Sequence, residues 1–338
     1  MERIAIVRLS SLGDIVHALP AFQALRRARP QARISWIAEP AGAALLANFP
    51  GIDEIVPFAL KGRRGAAARL AYLARFVRRW RGRFDLVIDF QGLLKSAVLA
   101  LLLGGRRIGF GRANAREPLA ALLYSRRAPA FPEERHVIRK NLHLLSLLGI
   151  AAAEVEYPRR DGGQPSPGLA AWLRQQGLGD GGWIVLNVGG NWPSKRLSAA
   201  QWRQVAAGLA PAHELLLLWG NDAERAEAEE VAGGGRVRLA PFLEFPDLIW
   251  VIARARLVIS GDTLALHLAD LTRTPAVGVF GPSSPERNGP LLPASRVVCR
   301  RLECGFCYRR RCDTMDCLKG IAAADIVAAA RSIDAQRD

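Results

Sequence analysis

The stretch Leu257-Val258-Ile259-Ser260-Gly261-Asp262-Thr263-Leu264-Ala265-Leu266-His267-Leu268-Ala269 decides the fold class. Leu257–Ser260 reads as a buried strand, Gly261-Asp262-Thr263 turns the chain, and Ala265–Ala269 reads as a helix that Asp262 or Thr263 caps. Ala276–Phe280 is the next strand. A strand, a helix and a second strand in so short a span call for a crossover connection and a parallel sheet. The same texture extends towards the N-terminus. Trp183–Val188, Glu214–Trp219 and Val237–Leu239 read as strands, and Ala199–Leu209, Ala223–Val231 and Phe245–Ala253 as helices between them.

The first half of the chain repeats this alternation. Arg3–Leu9, Arg33–Ala38, Ile55–Pro57 and Asp85–Asp89 have the character of strands. A helical segment follows Ser10-Ser11-Leu12-Gly13 and runs to about Arg29, either kinked at Pro20 or restarted there. Leu70–Trp80 has helical spacing, with Leu70, Leu73, Val77 and Trp80 expected on one face. Between the halves, Asp161-Gly162-Gly163-Gln164-Pro165-Ser166-Pro167-Gly168 is dense in chain breakers. The expectation is two Rossmann-like α/β domains, residues 1–160 and 169–338, joined by a linker at 161–168, their parallel sheets facing a central cleft. A chain of 338 residues suffices for two cores.

Composition narrows the function. Half the residues are apolar and 7% are aromatic, and the 47 basic against 31 acidic residues give a net charge of +16. Such a field favours anionic partners, although an Arg- and Ala-rich composition is also what a high-GC genome produces. Local clustering is not explained that way: Lys61 to Arg83 holds nine basic residues and no acidic one. No apolar run approaches the ~20 residues that span a bilayer, and Arg3-Ile4-Ala5-Ile6-Val7 has no leader character, so a cytoplasmic protein is expected.

In an open α/β sheet, ligands gather beyond the carboxyl ends of the strands. Three loops there carry chemistry. Ser10-Ser11-Leu12-Gly13-Asp14 follows the first strand, and Asp14 reads from the residues alone as a first-turn cap or, alternatively, as a carboxylate that takes a proton. Asn187-Val188-Gly189-Gly190-Asn191-Trp192-Pro193-Ser194-Lys195-Arg196 offers glycines and a lysine that suit a phosphate, or a solvated surface loop; it is not a Walker A loop. Gly261-Asp262-Thr263 opens a helix whose N-terminus suits a diphosphate, with His267 one turn away from Thr263. Phe280-Gly281-Pro282-Ser283 ends another strand.

Together these segments resemble the family-9 glycosyltransferases, which include the lipopolysaccharide heptosyltransferases. Asp89-Phe90-Gln91-Gly92-Leu93-Leu94-Lys95-Ser96 and Ala115-Arg116-Glu117-Pro118-Leu119 resemble the heptosyltransferase I branch in particular. The resemblance implies a GT-B fold and inverting transfer of heptose from ADP-heptose to a Kdo residue of the lipopolysaccharide inner core, as on Kdo-lipid A. It makes Asp14 the general base, with Ser10, Ser11 and Gly13 beside the acceptor. Lys195 neutralises the leaving diphosphate, so no catalytic metal or other cofactor is expected. Gly189, Gly190, Thr263 and Leu264 line the donor, Asp262 holds sugar hydroxyls, His267 the phosphate or sugar, and Glu224 the ribose. Lys61, Arg63, Arg64 and Arg116 are expected to meet an anionic acceptor, and the remaining arginines of the basic tract an anionic membrane surface. Leu264 departs from the family, which has glycine there. Gly189-Gly190 replaces hydroxyl residues and is expected to shift phosphate binding onto backbone amides.

Cys304, Cys307, Cys312 and Cys317 have a spacing open to two readings, a structural metal site or free, redox-labile thiols. Other functions remain to be weighed. A family-9 transferase with another sugar or acceptor, as in the heptosyltransferase II branch, shares the fold and the diphosphate chemistry. A nucleotide-sugar epimerase has the same two-domain build. A basic polyanion-binding protein would use the charge alone, but no nucleic-acid motif or aromatic platform accompanies the arginines, so no nucleic-acid partner is expected.

Overall fold

Two six-stranded sheets organise the computed structural model, which describes residues 1–151, 154–158 and 163–336. The first contains β1 (Arg3–Val7), β2 (Arg33–Ala38), β3 (Glu54–Pro57), β4 (Leu86–Asp89), β5 (Arg106–Phe110) and β6 (Arg126–Ala128). The second contains β7 (Ile184–Asn187), β8 (Leu215–Leu218), β9 (Val237–Leu239), β10 (Leu257–Gly261), β11 (Ala276–Phe280) and β12 (Arg296–Cys299). The strand orders are β3-β2-β1-β4-β5-β6 and β9-β8-β7-β10-β11-β12. Every pairing is parallel. Each sheet is thus the doubly wound 3-2-1-4-5-6 arrangement, with its topological switch between β1 and β4 or between β7 and β10. The chain divides into units Met1–Arg160 and Asp161–Asp338, one sheet in each.

Covered on both faces by helices, the central strands are unbroken apolar runs. Ile4 to Val7 and Val258 to Ile259 are fully buried. Helix Leu12–Ala28 continues through Pro20 as one segment. The ring leaves the Val16 carbonyl without its usual intrahelical donor, and tertiary packing of the buried Ile15–Phe22 segment outweighs that loss.

Three strands escaped the sequence reading: β5 and β6 each begin with two arginines, and β12 is a four-residue edge strand starting with Arg296. In the helix at 66–80, Leu73 and Val77 are partly buried, and the expected face departs from the structure only at Leu70 and by omitting Phe76. Phe76 and Trp80 are its buried residues, whereas Leu70 is 66% exposed. Aromatic spacing decides this orientation: Phe58 meets Phe76 at 4.9 Å between ring centroids, and Trp80 stacks on Phe84 at 5.9 Å. Of the expected linker, Asp161 and Gly162 lie outside the described residues. Its far end is helical: Ser166 Oγ accepts from Leu169 N and caps helix Pro167–Gln175. No helix among the described residues is long and apolar enough to cross a membrane.

Candidate active site

In the first unit, the loops after β1 and β4 meet at the switch point. Asp89, the last residue of β4, is fully buried and accepts from the amides of Gln91 (2.7 Å) and Gly92 (3.2 Å) and from the Tyr124 hydroxyl (2.8 Å). Burial pushes its carboxyl up despite these donors, and burial with Asp89 beside it pushes the Tyr124 phenol up as well. The loop so pinned reaches back to β1. Gln91 Oε1 accepts from Leu9 N at 2.8 Å, and the Phe90 carbonyl accepts from Arg8.

Arg8 then presents its other Nη to Asp14 Oδ1 at 2.8 Å. Asp14 lies in the first turn of helix Leu12–Ala28, and its Oδ2 accepts from the Ser11 amide (3.2 Å) and hydroxyl (2.9 Å). Both original readings of Asp14 therefore have structural content. It closes a capping box, and it also keeps about a quarter of its side-chain surface exposed (26%). Burial works to raise its carboxyl, but Arg8, the two Ser11 donors and Arg116 outweigh it and hold the group below the ordinary carboxylate range. Arg116 is exposed and faces Asp14 electrostatically, while its neighbour Glu117 accepts from Leu94 N instead. Of the remaining acceptor candidates, Lys61 pairs with Glu39 at 2.8 Å, Arg63 lies over the Tyr72 ring at 4.9 Å, and Arg64 is exposed.

The second unit has the corresponding meeting of loops after β7 and β10. Lys195 Nζ contacts Asp262 Oδ2 at 2.5 Å and sits 4.3 Å from the Trp192 ring centroid. His267 Nε2 approaches the other Asp262 oxygen at 3.2 Å, and Asn288 Nδ2 donates to Oδ2 at 3.3 Å. Burial disfavours the Asp262 anion, yet His267 and Lys195 reverse the balance and hold its carboxyl far below the usual range. Thr263 precedes helix Leu264–Thr272 without capping it, because its hydroxyl is taken by Asn187 (3.1 Å) and Ser260 (2.8 Å). The first amides of that helix thus lack a side-chain cap, with a partly buried lysine beside them, an arrangement suited to a phosphate.

Glu224 is buried rather than on an ordinary surface helix. Its two oxygens accept from Gly190 N (3.1 Å) and Gly220 N (2.9 Å). A Cβ at Gly189 would stand 2.2 Å from Glu224 Oε2, so only glycine admits this carboxylate. The expectation that the glycine pair frees amides for phosphate is corrected at Gly190, whose N–H goes to Glu224. Arg196, which the sequence reading passed over, braces the same loop by donating to the Gly190 carbonyl at 2.7 Å and pairing with Glu227 at 2.6 Å.

The chain is similar to known proteins over most of its length. The model of glycosyltransferase family 9 (heptosyltransferase) matches residues 73–318. The chain belongs to glycosyltransferase family 9. It is 31% identical to lipopolysaccharide heptosyltransferase 1 of Pseudomonas aeruginosa, over 92% of this chain and 87% of that one. The corresponding protein of Escherichia coli K12 is 28% identical, over 88% and 93%. The structure of the E. coli heptosyltransferase WaaC with ADP aligns at a TM-score of 0.79 and 25% identity, covering 98% of this chain and 99% of that one. E. coli ADP-heptose lps heptosyltransferase II shares the fold, with a TM-score of 0.76 at 19% identity. This family-9 glycosyltransferase accordingly has the GT-B type of fold, two α/β domains each with a parallel sheet.

Arg8, Asn187 and Asn288 are the site residues that motif reading missed. Arg8 and Asn187 shared one available signal, a polar residue at the carboxyl end of a central strand. None of the five cysteines is joined in a disulfide, and Cys304, Cys307 and Cys312 are exposed. Among the described residues no three His, Cys, Asp or Glu side chains are arranged to hold a metal ion. Burial, with Cys307, Cys312 and Cys304 nearby, pushes the Cys317 thiol up, whereas the Met315 amide lowers that of Cys312.

Proposed function

We propose that this glycosyltransferase moves heptose from ADP-heptose to a Kdo residue of the lipopolysaccharide inner core with inversion, as a heptosyltransferase I-like enzyme. The observation that carries the reading is the Lys195–Asp262–His267 cluster beside the open N-terminus of helix Leu264–Thr272. The names of the most similar relatives, and the ADP bound to WaaC, agree with it.

Residues 169–338 hold the donor. Lys195 and the helix amides meet the diphosphate, Asp262 and His267 the sugar side, and Glu224 the ribose, while Gly189 keeps room for that carboxylate. Residues 1–160 hold the acceptor, with Arg116 and the Lys61–Arg64 loop towards its anionic groups. The acceptor oxygen attacks the anomeric carbon opposite the diphosphate, the carbon–oxygen bond to phosphate breaks, and ADP leaves with the electron pair. The acceptor proton goes to Asp14. A sugar hydroxyl is far less acidic than a carboxyl, so the proton moves as the new bond forms. Arg8 keeps Asp14 ionised and ready to receive it. Lys195 and the helix N-terminus supply the positive charge that the leaving group needs, a role that a metal ion fills in other designs. The enzyme works at the anionic inner face of the cytoplasmic membrane, where its basic tract is attracted at ~1 kcal/mol per residue close to the surface.

Incubation with ADP-heptose and Kdo-lipid A, with and without EDTA, tests this reading. The expected result is heptosylated product at an unchanged rate under chelation. Product only with a different sugar or acceptor would transfer the assignment to another branch of the family.

A further inference from the structure

A groove of about 460 Å³ lies in the first unit and shares only Lys61 with the groups assigned to transfer. Phe58, Leu60, Leu73, Leu94, Val98 and Leu102 make its walls apolar, and Leu9, the residue before the Ser10-Ser11 turn, also lines it. Lys61, Lys95 and Glu39 belong to the same groove. The two ammonium groups are held on opposite oxygens of Glu39, at 2.8 and 3.6 Å, leaving one net positive charge. Leu94 and Val98 remain 41% and 37% exposed, although large apolar side chains in a groove of this kind are normally covered by a ligand.

Apart from Glu39, Lys61 and Lys95, every side chain of the lining is apolar, and the charged groups suit an anion attached to an apolar tail. Helix Ala66–Trp80, which supplies Leu73, exposes Arg69, Arg75, Arg78 and Arg79 as well as Leu70 and carries no acidic residue. A basic belt around apolar surface is complementary to an anionic lipid surface. We propose that this groove binds one acyl chain of an anionic lipid, with Lys61 and Lys95 at its head group. Identifying that lipid as the acceptor itself rests on the proposed function; the groove's chemistry does not.

The test uses the full chain and dansylundecanoate, a fluorescent carboxylate with an apolar tail, below its micellar concentration. Saturable binding is expected, with displacement by myristate and affinity falling by up to about fourfold for each methylene removed from the competitor. Val98→Trp fills the groove and abolishes binding, whereas Leu101→Trp, on the same helix but outside the lining, binds like the parent. Lys95→Gln weakens displacement by myristate but not by tetradecanol. ADP binding of both tryptophan variants stays unchanged. Absence of saturable binding, wild-type binding by Val98→Trp, or equal loss in Leu101→Trp would overturn the proposal. Transfer assays separate the two readings. Removing acyl chains from the acceptor should raise KM in the parent and leave Val98→Trp unaffected. Probe binding without transfer to any Kdo-lipid A would remove the functional reading and leave the groove assignment standing.

Discussion

Glu224→Gln tests how the donor loop is built, because one carboxylate accepts from two amides 30 residues apart, Gly190 and Gly220. A glutamine keeps one acceptor oxygen but aims an NH₂ group at the other amide, leaving two donors facing each other. Loss of a hydrogen bond to a charged acceptor costs about 1.5–3 kcal/mol. Gly189→Ala attacks the same contact from the other side. Its Cβ would lie 2.2 Å from Oε2 and 2.3 Å from Cδ, so the whole carboxylate must leave. Overpacking of this kind costs about 1–3 kcal/mol, added to the amide bonds it breaks. Both changes act through one carboxylate, so the double variant should lose at least 1 kcal/mol less than the sum of the single losses (about 1 kcal/mol being an ordinary coupling energy for contacting residues). Urea unfolding gives the stabilities and ADP titration gives the site, where roughly tenfold weaker binding is expected for each single variant. Additive stabilities, or Gly189→Ala within about 0.5 kcal/mol of the parent, would refute the reasoning.

Three further predictions concern the charged groups. Lys195→Met should lower kcat by roughly 10²–10³ through the lost charge at the leaving group. It should also destabilise the chain by about 3–5 kcal/mol, since it strips a partner from the nearly buried Asp262; turnover within threefold of the parent would contradict this. Arg8→Met removes the main group holding the Asp14 carboxyl down. Asp14 at present adds stability above the ordinary carboxylate range that is lost as pH falls through its depressed value. The variant should flatten that dependence and move the acid limb of kcat/KM to higher pH; an unmoved limb would count against Asp14 as the base. Tyr124→Phe takes one donor from Asp89, whose raised carboxyl favours the protonated form in the folded state, so stability present at low pH falls as pH rises through it. Unfolding curves across the pH range should show a loss of about 1.5–3 kcal/mol where Asp89 is ionised and a smaller one where it is protonated; a loss that does not vary with pH anywhere would contradict the assignment.

Much of the fold was legible because the central strands of a doubly buried parallel sheet advertise themselves. Arg33–Ala38 and Ala276–Phe280 are found where the apolar runs put them. Strands that open on charged residues are less readable: β5 and β6 begin with paired arginines that suit exposed strand ends, and no long apolar run marks them. Helix Ala66–Trp80 was recognisable, and of its spaced residues Leu73, Val77 and Trp80 turn inward while Leu70 does not; Phe76, buried against Phe58, was the residue the spacing left out. At the sites, strand-end motifs led to Asp14, Lys195, Asp262 and Glu224. They could not reveal that Arg8 spans to Phe90 and Asp14, or that Asn288 reaches Asp262, since those partnerships are made by the fold between segments distant in sequence. The Gly189-Gly190 pair illustrates the limit well. Its composition suggested open amides, whereas the structure spends one of them on a buried glutamate.

The most direct test of the account is Asp14→Asn, assayed for heptose transfer to Kdo-lipid A beside ADP titration of the same protein. The substitution keeps the side chain's shape and an acceptor oxygen for Ser11, so helix Leu12–Ala28 should remain capped. Loss of a general base should lower kcat by roughly 10²–10⁴ while ADP binds as in the parent. Normal turnover in the Asn variant would contradict the assignment of Asp14 as the base and reduce it to a helix cap.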